Sequence, residues 1–355
     1  MSPDELRAAL SLRDLTDPSS GEHAVQHVVA AIEGALAQAW AIPVRRDPGP
    51  RIVPVAHNYD RLRYDAEAVT RDRRYSRYVD VDRMLRSHTT ARIPALLDVI
   101  HERDVLLSVP GITYRRDAIG RHHVGEPHQM DVWRIRRDDP PLTEVDLVDM
   151  IGMVVEAVLP GQRWHTVPNV HPYTIAGREI YVGDVEIGEC GLGHPEVVGG
   201  GSGLAMGLGL DRLAMLAKGI DDIRLLRSPD LRVAAQMRDL APYRPVSAMP
   251  AVHRDLSLAV AAGLDAELLG DRVRELLGPD AEAVEEVAVR AETGYPDLPE
   301  AARTRMGLRP GQKNVLLRVV LRDLRRTLTA EEANALRDRI YAGLHEGSAY
   351  EWAAP

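Results

Sequence analysis

The stretch Gly201-Ser-Gly-Leu-Ala-Met-Gly-Leu-Gly-Leu-Asp-Arg-Leu-Ala-Met-Leu216 constrains this chain more than any other. Glycines and small residues run straight into an Asp-Arg-Leu that opens an apolar helix. Without a Cβ at Gly203, Gly207 and Gly209, a strand backbone can come within contact distance of a planar ligand. Arg212, at the start of the next helix, adds a permanently charged planar fork suited to a phosphate or to stacking on a purine. The pattern asks for a strand–helix corner with a ligand laid along the strand.

The 355 residues are enough for two domains with separate cores. No apolar run approaches the ~18 residues that span a bilayer, and the N-terminus has no basic-then-apolar signal pattern. The expectation is a protein that does not use a membrane. A single cysteine, Cys190, excludes a disulfide framework and a cysteine-cluster zinc site, so a reducing cytoplasm is the expected address. A net charge of −9 excludes indiscriminate coating of nucleic acid. It leaves room for a local basic face, and Arg303, Arg305, Arg309, Lys313, Arg318, Arg322, Arg325 and Arg326 supply one with only Asp323 among them.

Apolar spacing predicts a helix over 23–39, preceded by capping residues and Pro18. Residues 94–103 read as a helix, 105–109, 128–135 and 179–187 as strands, and 142–158 as a helix. A helix followed by antiparallel strands with inserted helices is α+β. The proline-punctuated Ala241-Pro-Tyr-Arg-Pro-Val246 reads as a linker, with domains at 1–241 and 248–355 on either side of 242–247. Past it come a strand (250–260), helix (265–277), strand (283–291), strand (314–322) and helix (329–345). They fit the β-α-β-β-α-β order of a ferredoxin-like α/β sandwich, and Thr329 with Glu332 have capping-box spacing.

The Gly201–Leu216 stretch resembles motif 3 of the class II aminoacyl-tRNA synthetases, and within them the phenylalanyl enzymes. Ile220-Asp-Asp-Ile-Arg-Leu-Leu-Arg-Ser-Pro-Asp-Leu-Arg232 is similar to the continuation those enzymes carry. Pro18 and the following helix look like motif 1, near 15–40; motif 2 would lie near 105–135 and motif 3 near 201–218. Tyr114-Arg-Arg-Asp117 and Pro127-His-Gln-Met-Asp131 match motif 2 of the single-chain, mitochondrial-type form in spacing. Val252-His-Arg-Asp-Leu-Ser-Leu258, Gly311-Gln-Lys-Asn-Val315 and Arg326-Thr-Leu-Thr-Ala-Glu-Glu-Ala-Asn334 resemble the ferredoxin-fold anticodon-binding domain of the same enzymes. The resemblance runs from Pro18 to about Trp352, and no transit peptide is read before motif 1.

The resemblance implies a class II antiparallel-sheet catalytic domain and an ATP-dependent ligase. It would form an aminoacyl-adenylate, then esterify the 3′ end of tRNA, with Mg²⁺ beside the nucleotide, most simply as a monomer. Bringing a carboxylate to the α-phosphate joins two anions, which needs guanidinium or metal charge and tight positioning. By the motif matches, Arg115 and Arg212 are the catalytic charges. His123, Pro127, Glu186 and Arg212 border ATP with Arg115, and Glu186 shares the metal. His88 and Thr90, in Met84-Leu-Arg-Ser-His-Thr-Thr90, with Gln129 and Asp131, hold the substrate's carboxylate and ammonium. His171, Tyr173, Ala205 and Gly207 line its side-chain pocket. Arg254, Lys313, Arg318 and Arg326 contact tRNA.

Several positions depart from the family pattern. The family's Phe-Pro-Phe, whose rings pack on the substrate phenyl group, is His171-Pro-Tyr173 here. The acid two positions later is Ile175, the adenine-stacking aromatic is Pro127, and Glu189 stands where a small residue is usual. The whole chain contains no phenylalanine, where an average composition gives about a dozen. A chain without phenylalanine can still be made when the tRNA charged with it is scarce or mischarged. Three functions share these residues: a phenylalanine or aromatic-analogue ligase, a paralogue activating another amino acid for a biosynthetic or resistance role, and an inactive tRNA-binding regulator.

Overall fold

The computed structural model describes residues 1–116, 120–245 and 249–349; Asp117 and Trp352 lie outside them. The chain divides into two compact units, the first holding Met1–Arg115, Glu126–Asp221 and Val233–Arg244. The second begins in earnest at Pro245 and also claims Arg116–Gly125 and Asp222–Arg232.

The first unit is built on seven strands: β1 (Val44–Arg46), β2 (Asp104–Ile112), β3 (His128–Arg136), β4 (Trp164–Pro168), β5 (Thr174–Val182), β6 (Val185–Gly193) and β7 (Ser202–Gly209). They lie in the order β1-β2-β3-β7-β6-β5-β4, antiparallel except for the β1–β2 pair. One face carries helices. Helix α1 (Ala24–Trp40) is capped by His23, whose Nδ1 accepts the Val25 N–H, and it buries Val25, Val28, Val29, Ile32 and Leu36 at helical spacing. Helix α2 (Glu144–Val158) packs on α1 and opens with a Thr143–Asp146 capping box. On the same face the Arg134 guanidinium lies 4.4 Å from the centre of the Trp40 ring. Helix α3 (Leu210–Lys218) turns off the end of β7, as the glycine-rich corner requires, and stops at Gly219 in the left-handed region.

The opposite face is half covered. Val105, Leu107 and Val109 of β2, Trp133 and Ile135 of β3, and Ala205 of β7 form one core with Leu62, Ile93, Leu96 and Ile100 of the segment between β1 and β2.

Two expectations for this unit change. The helix over 94–103 shortens to Ile93–Leu97, because Ile100 turns into the core and Arg137 N–H donates to the Arg103 carbonyl at 2.7 Å, drawing the chain into β2. The single strand at 179–187 is a hairpin, β5 and β6, broken at Gly183 with φ 59°.

The second unit contains β8 (Val252–Ala261), α4 (Ala266–Leu277), β9 (Val284–Gly294), β10 (Gln312–Leu321) and α5 (Ala330–Leu344). Its sheet is antiparallel with β10 in the middle, and α5 packs on α4 and β8. The expected Thr329–Glu332 capping box is present. Among the described residues the sheet has three strands; past α5, Glu346 N–H donates to Ala259 O at 2.8 Å alongside β8. Acidic anchors explain why two distant segments join this unit. Arg116 reaches Asp271 at 2.6 Å, Arg121 reaches buried Glu285 at 2.5 Å, and Arg224 donates to the Glu282 carbonyl at 2.7 Å.

Candidate active site

Strand register assembles the site in the first unit. Gly111, Gln129 and Gly209 lie side by side on β2, β3 and β7; the next row on the same face is Val109, Asp131, Gly207 and Glu189. Arg115 follows the end of β2 and Arg212 follows the end of β7, so both lie past the same edge of these neighbouring strands. Arg115 bridges to Ser76 in antiparallel fashion. Arg212 Nη1 donates to the Glu186 carbonyl and to its carboxylate, both at 2.9 Å.

Glu186 shares a face with Glu189 because of a bulge. Gly188 pairs with Ile180 while Glu186 pairs with Tyr181, leaving Ile187 without a partner on β5. The extra residue turns Glu186 back to the side where Glu189 faces Glu179.

Two kinds of glycine occur here. A Cβ on Gly188 would meet the Gly207 carbonyl oxygen at 2.1 Å, so the fold itself demands glycine there. A Cβ on Gly207 would meet nothing closer than Glu189 Cγ at 3.6 Å, with Asp131 Oδ2 at 3.8 Å. A Cβ at Gly207 would fit at ordinary van der Waals contact between two carboxylates.

Asp131 is buried, with three donors on it: Thr89 Oγ1 at 2.8 Å, Thr90 Oγ1 at 3.0 Å and Trp133 Nε1 at 3.0 Å. Burial outweighs these bonds and lifts its pKa to about 6. Thr90 thus acts on Asp131; its expected contact is with the substrate's carboxylate and ammonium, and the structure gives its hydroxyl to the aspartate. His88 stacks on Tyr64 with ring centroids 5.9 Å apart. Both its nitrogens are shut off from solvent without a hydrogen bond, and burial, with a minor contribution from Arg115, lowers its pKa to about 4.

At the expected side-chain pocket, the Tyr173 hydroxyl donates to Glu189 Oε1 and His171 Nε2 lies 3.0 Å from Glu189 Oε2. That second contact is an ion-pair distance without hydrogen-bond alignment. Burial opposes charge on both partners, yet their pairing raises the His171 pKa and lowers that of Glu189. Tyr173 also stacks on Trp133 and His171. Ala205 is buried beside Trp133.

Pro127 is half-buried, and its carbonyl accepts the Thr113 N–H at 2.9 Å and the Thr113 hydroxyl at 3.0 Å. His123 belongs to the second unit, where its N–H donates to the Gly120 carbonyl at 3.2 Å.

A buried network escaped the sequence reading. His128 Nδ1 lies 3.1 Å from Asp211 Oδ1, His128 N–H donates to Asp211 Oδ2 at 2.5 Å, and Leu15 N–H donates to His128 Nε2 at 2.9 Å. Accepting at Nε2 places the proton on Nδ1, aimed at Asp211. Asp14 takes the Thr16 N–H and hydroxyl and the Ile112 N–H. Burial pushes its pKa up, but these bonds and His128 hold it below the ordinary value. Four segments, at residues 14–16, 112, 128 and 211, are thereby locked at the same sheet edge. Only residue type, a histidine and two aspartates near the motifs, could have hinted at it.

The four cations of the second unit do not form one face. On β10, Lys313 lies opposite Val260 and Arg318 opposite Asp255, so the two point to opposite sides of the sheet. Arg254 shares the Lys313 side and donates to Asn334 at 2.9 Å. Arg318 is paired bidentately with Asp255, Lys313 with Glu292 and Arg326 with Glu332.

A family model described as tRNA synthetases class II core domain (F) matches residues 11–237. A probable mitochondrial phenylalanine–tRNA ligase of Drosophila melanogaster is 27% identical over 81% of this chain and 74% of that protein. The chloroplastic/mitochondrial phenylalanine–tRNA ligase of Arabidopsis thaliana is 28% identical over 81% of this chain and 68% of its own length. Among solved structures, a pyrrolysyl-tRNA synthetase from Desulfitobacterium hafniense has a TM-score of 0.48 at 18% identity, covering 63% of this chain and 78% of that one. The names of the two relatives overturn the cytoplasmic address. It rested on one cysteine and on a missing signal pattern, neither of which distinguishes the cytoplasm from another reducing compartment. No helix among the described residues is long and apolar enough to cross a membrane. With a core matched across nearly two thirds of its length, this chain belongs to the class II tRNA synthetases and is an aminoacyl-tRNA ligase resembling the phenylalanine enzymes.

Proposed function

We propose that the chain uses ATP to activate an aromatic amino acid, phenylalanine or an analogue, and passes it to the 3′ end of a tRNA. The observation that carries this reading is the pair of residue rows Gln129–Gly209 and Asp131–Gly207–Glu189, which admit a Cβ at Gly207, with Arg115 and Arg212 past the same strand ends.

In this reading the amino acid lies over Gly207 with its ammonium on Asp131 and Gln129. An ionised carboxylate accepts about four hydrogen bonds; Asp131 receives two on Oδ2 and one on Oδ1, which leaves one on Oδ1 for the ammonium. His88, neutral near pH 7, offers an uncharged donor to the substrate carboxylate, and Thr90 positions Asp131. Arg115 holds the α-phosphate so that the two anions can meet, and Arg212 covers the adenine and γ-phosphate, its guanidinium pre-aimed by Glu186. The described residues contain no cluster of three His, Cys, Asp or Glu side chains for a metal. Magnesium arriving with a nucleotide needs only one or two carboxylates, and Glu186 fits that demand. When bound there, Mg²⁺ would neutralise phosphate charge.

The second unit we read as a ferredoxin-like tRNA-binding module, on the strength of its central third strand and two-helix cover, within a chain that acts as a monomer. Arg254, whose side-chain partner Asn334 is neutral, and Arg326, more exposed than the ion-paired Lys313 and Arg318, are the favoured phosphate contacts.

ATP–pyrophosphate exchange tests the proposal. Exchange with at least one aromatic amino acid is expected, falling about 100-fold or more in Arg115→Ala and in Arg212→Ala. No exchange with any amino acid would reject it.

A further inference from the structure

We infer that Glu189, positioned by His171 and Tyr173, makes the side-chain end of this site select an aromatic amino acid whose ring carries a hydrogen-bond donor, a hydroxyl or an amine, over one with a plain ring. The inference rests on the synthetase reading above and names the substrate class of the same site.

The first observation is geometric. Glu189 and Asp131 each come within 4 Å of the point where a Gly207 Cβ would stand, so the two carboxylates bracket one gap. Their nearest oxygens, Asp131 Oδ2 and Glu189 Oε1, each lie 3.8 Å from that point and are therefore no more than twice that far apart. An extended aromatic amino acid covers that span when its ammonium hydrogen-bonds one carboxylate and a ring substituent the other.

The second is the state of Glu189. The Tyr173 hydroxyl and His171 engage one oxygen each, yet the side chain keeps 40% of its surface exposed. A carboxylate with about four acceptor sites has capacity for a further donor. A plain ring placed against it would strip water without replacing the hydrogen bond, which disfavours that ring by roughly 10- to 100-fold.

The chain-wide absence of phenylalanine does not account for the arrangement. Leucine and methionine fill core positions elsewhere and would have removed Phe from positions 171 and 173 without adding a nitrogen or oxygen. Nor does avoiding phenylalanine call for a carboxylate at position 189.

The test is ATP–pyrophosphate exchange by the full chain with phenylalanine, tyrosine, meta-tyrosine and 4-aminophenylalanine. The expected result is a kcat/KM at least about tenfold higher for one or more ring-donor substrates than for phenylalanine. Glu189→Ala should reduce that preference at least about fivefold, chiefly through KM. Should it fold poorly, Glu189→Gln and Tyr173→Phe probe the same contact with little change in volume. Phenylalanine used as well as or better than the others would overturn the inference and leave the synthetase reading standing, as would a preference untouched in every variant. No exchange with any amino acid would remove the synthetase reading itself.

Discussion

The Asp131 carboxylate sets a pH dependence that can be worked out in advance. It lies in a pocket closed by Thr89, Thr90 and Trp133, and burial raises its pKa from 3.8 to about 6. A rise of that size corresponds to about 3 kcal/mol favouring the neutral acid. A cationic ammonium is held only by the ionised form. Between pH 4 and 6 the free enzyme is therefore mostly in the wrong state, and its kcat/KM should fall about tenfold for each pH unit below 6. Once the ammonium is bound, its charge favours ionisation, so the profile of kcat should break at lower pH than that of kcat/KM. For folding the sign is opposite. A raised carboxyl pKa makes this group's contribution greatest at low pH, and that contribution is lost as pH rises through about 6. Exchange rates measured from pH 4.5 to 8 on wild type and Asp131→Asn check the reasoning. The variant should lose 2–5 kcal/mol of transition-state binding, about 30- to 4,000-fold in kcat/KM. A wild-type kcat/KM flat from pH 5 to 8 would show that Asp131 does not carry the ammonium.

Gly207→Ala adds a Cβ at ordinary van der Waals contact, 3.6 Å from the nearest protein atom. Folding stability should change by less than about 1 kcal/mol, while amino-acid activation falls beyond about 100-fold; strong activity in the variant would mean the substrate lies elsewhere. His128→Ala should cost about 2–4 kcal/mol in chemical denaturation, because it takes the imidazole from buried Asp211 Oδ1 and removes the acceptor of the Leu15 N–H. A loss under 1 kcal/mol would deny that the network locks the sheet edge.

Local patterns in the sequence reached the glycine corner, helix α1 with its apolar stripe, and the Thr329 capping box, because each is written in a few neighbouring residues. The β5–β6 hairpin stayed hidden, since Val182, Val185 and Ile187 read as one apolar run across Gly183 and Asp184. Register was invisible for a deeper reason. Which way Glu186 faces depends on one unpaired residue, Ile187, and that is decided by packing against two neighbouring strands. The lock among Asp14, His128 and Asp211 joins groups more than 80 positions apart, and nothing local announces it. The cations of β10 look like a basic stripe in sequence because their partners, Asp255 and Glu292, come from other strands.

The most direct measurement is a crystal structure with a non-hydrolysable aminoacyl-adenylate analogue. The account predicts the analogue lying over Gly207 and Gly209, its ammonium on Asp131, its phosphate on Arg115 and its adenine under Arg212. An adenylate bound on any other surface, with these five residues untouched, would contradict it.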